Sequence, residues 1–224
     1  MYYQCKNHLP LRLMQKVSSA KNNLKLVYLT IKGYIRRPFN SCLSVRQFIL
    51  GCIEKPVYAL DLGCGLMPQN IFQAKEIFGV DICDSEDRRV IKINLIFDKL
   101  PFEDNSLDVV TAFDFLEHIP RITNTNNASR LSFVELMNEI HRVLKPSGIF
   151  LSKTPTYPSP LAFKDPTHVN IITESTLKDY FCFNSDAINS KCGAYMYGFS
   201  GKFVHLKTKW LLGHWTVSLL KAEK

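Results

Sequence analysis

Between residues 57 and 115 the apolar positions fall in short dense runs. VYALDL (57–62), IFGVDI (77–82), VIKINL (90–95) and LDVVTAFDF (107–115) are each bounded by turn-forming residues. Runs of that length predict strands, the fourth passing into a helical start. The period then lengthens. SFVELMNEIHRVL (132–144) sets Phe133, Leu136, Met137, Ile140, Val143 and Leu144 at helical spacing, and Lys145-Pro146-Ser147-Gly148 stops it. GIFLSKT (148–154) reads as a fifth strand. Strands separated by helical stretches predict a parallel sheet with helices on both faces.

The two ends break this rhythm. After a predicted helix at ESTLKDYF (174–181), the segments YMYGFSGKFVHLK and HWTVSLLKAEK read as two strands with no helix between them, an antiparallel edge hairpin. Pro155 to Thr173 is a long connection, and long loops in compact domains are often functional. At the other end, LRLMQKVSSAKNNLKLVYLTIKGYI supplies one or two amphipathic helices, and SVRQFILGCIEK (44–55) a short helix stopped by Pro56.

Charge sharpens that division. The first 50 residues hold nine Lys or Arg and no acid, within a chain of 224 residues and net charge +8. Such a segment is attracted to phosphate on nucleic acid, nucleotide-sugar or anionic lipid, or is simply a solvated basic face. No run approaches the roughly 20 apolar residues of a membrane span. The opening MYYQCKNHLPLRLMQK lacks the features of a signal peptide, so the cytoplasm is the expected setting. Seven scattered cysteines, odd in number and without a C-x-x-C pair, offer neither a disulfide framework nor a zinc site and read as small buried hydrophobes.

The candidate chemistry starts at the end of the first strand, in a turn that precedes an expected helical stretch. In Asp61-Leu62-Gly63-Cys64-Gly65 the glycines turn the chain tightly and let backbone N–H groups approach a cofactor. The next strand ends in Asp81, where an acid accepts both ribose hydroxyls of a nucleoside lying across the sheet's carboxyl edge.

Four segments, ALDLGCG, FGVDIC, LPFEDNSLDVVTAFDFLEHI and EIHRVLKPSGIFLSKTP, occur in the order and at about the spacing of class I S-adenosylmethionine-dependent methyltransferases. Over roughly residues 55–157 the chain resembles the branch of that family (methyltransferase type 11) that includes ubiquinone-pathway and sugar O-methyltransferases. The resemblance implies an α/β fold: a Rossmann-like, seven-stranded, mostly parallel sheet with an antiparallel C-terminal edge hairpin. Residues 1–50 would form an N-terminal helical cap or extension, and residues 51–224 the methyltransferase domain. It also implies that Asp61, Gly63, Cys64 and Gly65 cradle the amino-acid end of S-adenosylmethionine. Asp81 would hold the ribose, Ile82 flank the adenine, Asn94 and Leu95 meet its edge, and Phe113 and Asp114 lie near the sulfonium. One departure stands out: Met67 replaces the family's third glycine, with Pro68 next, so this loop must turn differently. A Rossmann dehydrogenase is disfavoured, because G-x-G-x-x-G is absent.

Sulfonium is a good leaving group, so the protein mainly supplies positioning and, for a hydroxyl acceptor, a route for its proton. Asp114, Glu117 and His118 share one face if the strand passes into a helix, and His168 sits in the long loop, within KDPTHVNIIT. In one reading these four hold a divalent cation that polarises the acceptor hydroxyl. That is similar to the E-x-x-E-H plus distant His of ubiquinone-pathway O-methyltransferases and small-RNA terminal 2′-O-methyltransferases. In another, His168 acts as base or touches substrate, with His118 and Asp114 as the other catalytic candidates. In a third, Glu117-His118 merely holds the turn after the fourth strand. The loop TPTYPSPLAFKDPTHVNIITESTLKDYF resembles methyltransferases of surface-carbohydrate pathways and points to a sugar or glycan hydroxyl, on a small molecule or a glycan. Metal-assisted RNA 2′-O-methylation and a non-catalytic cofactor-binding subunit are the alternatives.

Overall fold

The computed structural model describes residues 56–126, 128–183 and 192–224. The expected N-terminal cap and the short helix at 44–55 lie outside them. The strands are β1 (Tyr58–Leu62), β2 (Glu76–Asp81), β3 (Val90–Lys92), β4 (Leu107–Phe113), β5 (Thr123–Asn124), β6 (Ser129–Arg130), β7 (Leu144–Pro155), β8 (Lys202–Leu211) and β9 (Trp215–Glu223). The helices are α1 (Ser132–Val143), α2 (Leu161–Lys164) and α3 (Thr176–Phe181). Seven strands make one sheet in the order β3-β2-β1-β4-β7-β9-β8, while β5 and β6 pair apart from it. The first five of these run parallel; β9 is antiparallel to both β7 and β8. The expected seven-stranded sheet and edge hairpin are therefore present. The order reverses between β1 and β4, and in open α/β sheets ligands bind at the carboxyl ends of strands beside such a point.

The central strands explain their own position. Leu60 and Leu62 of β1, Val109, Val110 and Ala112 of β4, and Phe150 and Leu151 of β7 are buried on both faces. Continuous apolar runs of this kind suit the middle of a parallel sheet. Helix α1 buries Phe133, Leu136, Met137, Ile140 and Val143 along one stripe. Met137 and Ile140 have no exposure, so truncating either to alanine costs about 2–5 kcal/mol.

The motifs that carried the family resemblance turn out to lock this scaffold. Arg142 of α1 donates to the carbonyl oxygens of Leu100 and Phe102 and pairs with Asp104 and Glu139. Glu139 in turn accepts the Leu100 amide, which pins the LPFED segment to the helix. Asp108 accepts the amides of Val57 and Tyr58 at the start of β1 and the ammonium of Lys145. Burial alone would raise the Asp108 carboxyl, but Lys145 and the two amides outweigh it and hold it below its usual range.

Three expectations are corrected. The helical stretch expected after Gly65 is absent, and residues 66–75 form turns. Pro68 lacks a donor, and the Asn70 side chain both donates to the Ala74 carbonyl and accepts the Ala74 amide, which closes a local loop in place of a helix. Leu144 opens β7 instead of ending α1. Residues 195–197 belong to a short 3₁₀ turn, Gly193–Tyr197, and β8 starts only at Lys202, after Gly198 (φ 86°) reverses the chain. Cys64, Cys182 and Cys192 are buried, as expected, whereas Cys83 is half-buried and disulfide-bonded, against that expectation. Among the described residues no helix is long and apolar enough to cross a membrane.

Candidate active site at the carboxyl edge of the sheet

The turn after β1 takes its shape from two left-handed glycines, Gly63 (φ 59°) and Gly65 (φ 67°). A Cβ on Gly63 would stand 2.3 Å from Cδ2 of the Phe115 ring, whereas one on Gly65 would meet nothing within 4 Å. Gly63 thus permits close packing, and Gly65 borders open space. The Gly65 amide donates to Asp81 Oδ2 at 2.8 Å, while Asp81 Oδ1 accepts the Cys83 amide at 2.9 Å. An acid, a bare backbone and open room therefore adjoin at the ends of β1 and β2, and Ile82, 42% exposed, follows the acid. These residues fit a nucleoside cofactor.

Two residues assigned by resemblance to this cradle act from beneath it. Asp61 is fully buried, accepting the Thr111 hydroxyl at 2.8 Å on Oδ1 and the Gln69 amide at 3.0 Å on Oδ2. It ties the far end of the loop to β4 and so shapes the cradle. Cys64 turns its thiol toward Gly79, where an added Cβ would come within 2.4 Å of Sγ, and its amide donates to the Val80 carbonyl at 3.2 Å, so it fastens the turn to β2. Met67, in the place of the third glycine, is 58% exposed and is not among the residues with positive φ. A glycine is unnecessary there because the chain passes through an ordinary conformation, braced by the Ser85 hydroxyl on the Leu66 carbonyl. Asn94 caps the turn after β3, its Oδ1 accepting the Ile96 amide at 3.1 Å. Leu95 packs into the core and Phe113 is buried at the end of β4.

A second group of residues follows β4. Asp114 has left-handed backbone (φ 49°), which aspartate tolerates better than most residues, and the chain enters a 3₁₀ turn, Leu116–His118, in place of the expected α-helix. The helical face that was to unite Asp114, Glu117 and His118 therefore does not form. The Asp114 carboxylate goes instead to Lys153 Nζ at 2.6 Å and to the indole N–H of Trp215 at 3.1 Å. Lys153 is buried and lies over the Trp215 ring. Asp114 is consequently not among the groups that converge next.

Glu117, His118 and His168 do converge: one ligand atom from each lies within 4.8 Å of the others. Glu117 is 1% exposed and accepts the Thr154 hydroxyl at 2.8 Å. The His118 and His168 rings meet edge to face, 4.9 Å between centroids. His118 Nδ1 lies 3.2 Å from the Thr167 carbonyl oxygen, and His168 Nδ1 lies 3.2 Å from that of Ala162. A carbonyl accepts only, so it assigns the proton to Nδ1 and the lone pair to Nε2, one of the two tautomers through which histidine binds metal. At the rim, the Thr167 hydroxyl and amide hold the Asp165 carboxyl below its usual range, with the nearby His168 and His118 acting in the same direction. A carboxylate and two imidazoles suit a divalent first-row cation or a proton-transfer site.

Sequence reasoning passed over Lys153, Thr154 and Trp215, which organise this region, and Arg121 and Asn170, which hold its loop. Of these, only the closeness of Asn170 to His168 in the sequence was a usable signal.

Comparison with known proteins agrees with this geometry. Residues 60–152 match the family described as methyltransferase domain. No curated protein matches the chain. Among solved structures, a SAM dependent methyltransferase from Archaeoglobus fulgidus gives a TM-score of 0.53 at 18% identity, covering 89% of this chain and 100% of its own. The PH0226 protein from Pyrococcus horikoshii OT3 also scores 0.53, at 16% identity, covering 84% and 93%. The [4+2]-cyclase SpnF reaches 0.53 at 14% identity, covering 80% of each chain, so likeness at this level speaks for the fold alone. The domain match, the glycine turn and the sheet's switch point fall in the same stretch, so residues 60–152 are similar to a methyltransferase domain.

Proposed function

We propose that the chain methylates a hydroxyl group on an acceptor that enters beside Glu117, His118 and His168, and that these three residues hold a divalent cation. The observation carrying this reading is their convergence within 4.8 Å at the same sheet edge as the glycine turn. S-adenosylmethionine supplies an electrophilic methyl group on sulfonium; a bound cation would supply Lewis acidity that lowers the acceptor's pKa. The remaining work belongs to the chain. Asp81 takes the ribose diol, the Gly63–Gly65 turn receives the amino-acid end, and Phe115, pressed on Gly63, couples that turn to the Glu117–His118 segment. His118 and His168 present the lone pairs, and His168 receives the hydroxyl proton where no cation is bound.

For the acceptor we favour a sugar or glycan hydroxyl. The exposed Tyr157 and Phe163, edge to face at 6.3 Å in the loop that carries His168, offer aromatic faces for a ring. The acid-free basic first 50 residues favour a second reading, RNA 2′-O-methylation, which steep salt dependence of RNA binding would support.

The test begins with calorimetry. Wild type binds S-adenosylmethionine, and Asp81→Ala abolishes that binding. Radiolabelled methyl transfer to glycan and RNA acceptors is lost in His168→Ala while cofactor affinity stays. Full transfer by His168→Ala, or by chelator-treated wild type, would overturn the cation assignment.

A further inference from the structure

The loop that carries His168 is tied to the segment after β4 by a continuous set of hydrogen bonds. The amides of Val169 and Asn170 both donate to the Glu117 carbonyl, at 2.9 and 3.0 Å. The Asn170 side chain, 1% exposed, donates through Nδ2 to the Leu116 carbonyl at 3.4 Å. Its Oδ1 accepts Arg121 Nε at 2.8 Å, and Arg121 Nη2 donates to the Ile171 carbonyl at 2.6 Å. On the other side of His168, Thr167 is bound to the His118 ring. His168 is thereby bracketed by neighbours fastened to Glu117 and His118.

This arrangement has a physical rationale. Residues 116–121 and 167–171 are about 50 positions apart in the chain, and no strand ladder joins them. A loop of that kind slips unless its register is pinned. Asn170 supplies the pin because its amide both donates and accepts, and as a buried polar group it is costly to leave unsatisfied. Arg121 supplies a planar fork that grips a side-chain oxygen and the following carbonyl at once, which a lysine ammonium cannot reproduce.

We infer that Asn170 and Arg121 are positioning residues that set His168 opposite His118 and so assemble the three-residue cluster. The inference rests on the functional reading of that cluster given above. It concerns the cluster's geometry, which is measurable without an acceptor and without a cation.

The experiment uses the full chain with Co²⁺ and S-adenosylhomocysteine as ligands, and side-chain NMR of the imidazoles. In wild type a cross-peak connects the His118 and His168 rings. In Arg121→Ala the cross-peak weakens, Co²⁺ affinity falls about 10–100-fold, and S-adenosylhomocysteine affinity is unchanged. Added guanidinium restores both lost signals in Arg121→Ala; Arg121→Lys stays impaired. Asn170→Ala shows the larger loss. Should it fail to fold, Arg121→Ala decides alone, since Arg121 is at the surface. Wild-type Co²⁺ affinity and an intact cross-peak in Arg121→Ala, or no recovery with guanidinium, would overturn the inference. If wild type binds no Co²⁺, the cation reading falls by itself, and the ring cross-peak with its guanidinium rescue still decides the positioning role.

Discussion

Replacing Gly63 and Gly65 by alanine separates two costs that share one turn. Both residues have positive φ, 59° and 67°. An alanine forced into that region costs about 1–2 kcal/mol. At Gly65 the added methyl meets nothing within 4 Å, so strain is the whole penalty. At Gly63 the methyl would lie 2.3 Å from Phe115 Cδ2 and 2.9 Å from Cγ. A ring cannot yield at that end as a flexible chain tip does, so overpacking adds about 1–3 kcal/mol. Gly63→Ala should therefore lose about 2–5 kcal/mol and Gly65→Ala about 1–2 kcal/mol, from a total stability on the order of 5–15 kcal/mol. Urea unfolding followed by circular dichroism measures both. The functional signatures should also differ. Gly65→Ala occupies cofactor room and weakens S-adenosylmethionine binding in calorimetry, with little effect on the His118–His168 contact. Gly63→Ala displaces Phe115 and disturbs that contact as well. Equal destabilisation by the two substitutions would refute the steric reasoning.

Two further expectations follow from buried titratable groups. Burial, helped by the nearby Lys224 charge, keeps the His141 imidazole below its ordinary range, despite its hydrogen bond to the Glu223 carbonyl, which acts the other way. The unfolded chain then binds that proton more readily, so stability is full above about pH 6.5 and declines as pH falls below it. His205, also lowered by burial, adds to the slope. His141→Gln should flatten the decline below about pH 6.5, read from urea midpoints; an unchanged slope would count against it. Burial, reinforced by Cys192 and Asp179, pushes the Cys182 thiol up to about 12. Iodoacetamide near neutral pH should therefore leave Cys182 unmodified in the folded protein and alkylate it in urea, by mass spectrometry; equal labelling in both would contradict the burial.

Much of this protein was legible from local pattern. Strand runs such as VYALDL and LDVVTAFDF were readable as strands from their dense apolar positions, and the stripe from Phe133 to Val143 has one buried face. The pairing of Gly63 and Gly65 with Asp81 was readable too, because a tight turn and a strand-end acid are one-dimensional features. What failed was the stretch from Pro68 to Ala74, where a side chain competes for backbone groups, and the assignment of Asp114 to the cluster.

Asp114 shows why. From sequence, positions 114, 117 and 118 share a helical face only if a helix forms, and that depends on what receives the Asp114 carboxylate. Its partners, Lys153 and Trp215, come from β7 and β9, 39 and 101 positions away. Which charges meet is decided by strand order, and strand order is a property of the whole sheet. For the same reason Arg121 carries no one-dimensional signature, and Asn170 none beyond its closeness to His168. The sequence by itself determined the strands, the glycine turn and the strand-end acid beside it. Only the tertiary structure decided which side chains face one another there, since hydrogen bonds and ion pairs form between groups brought close in space.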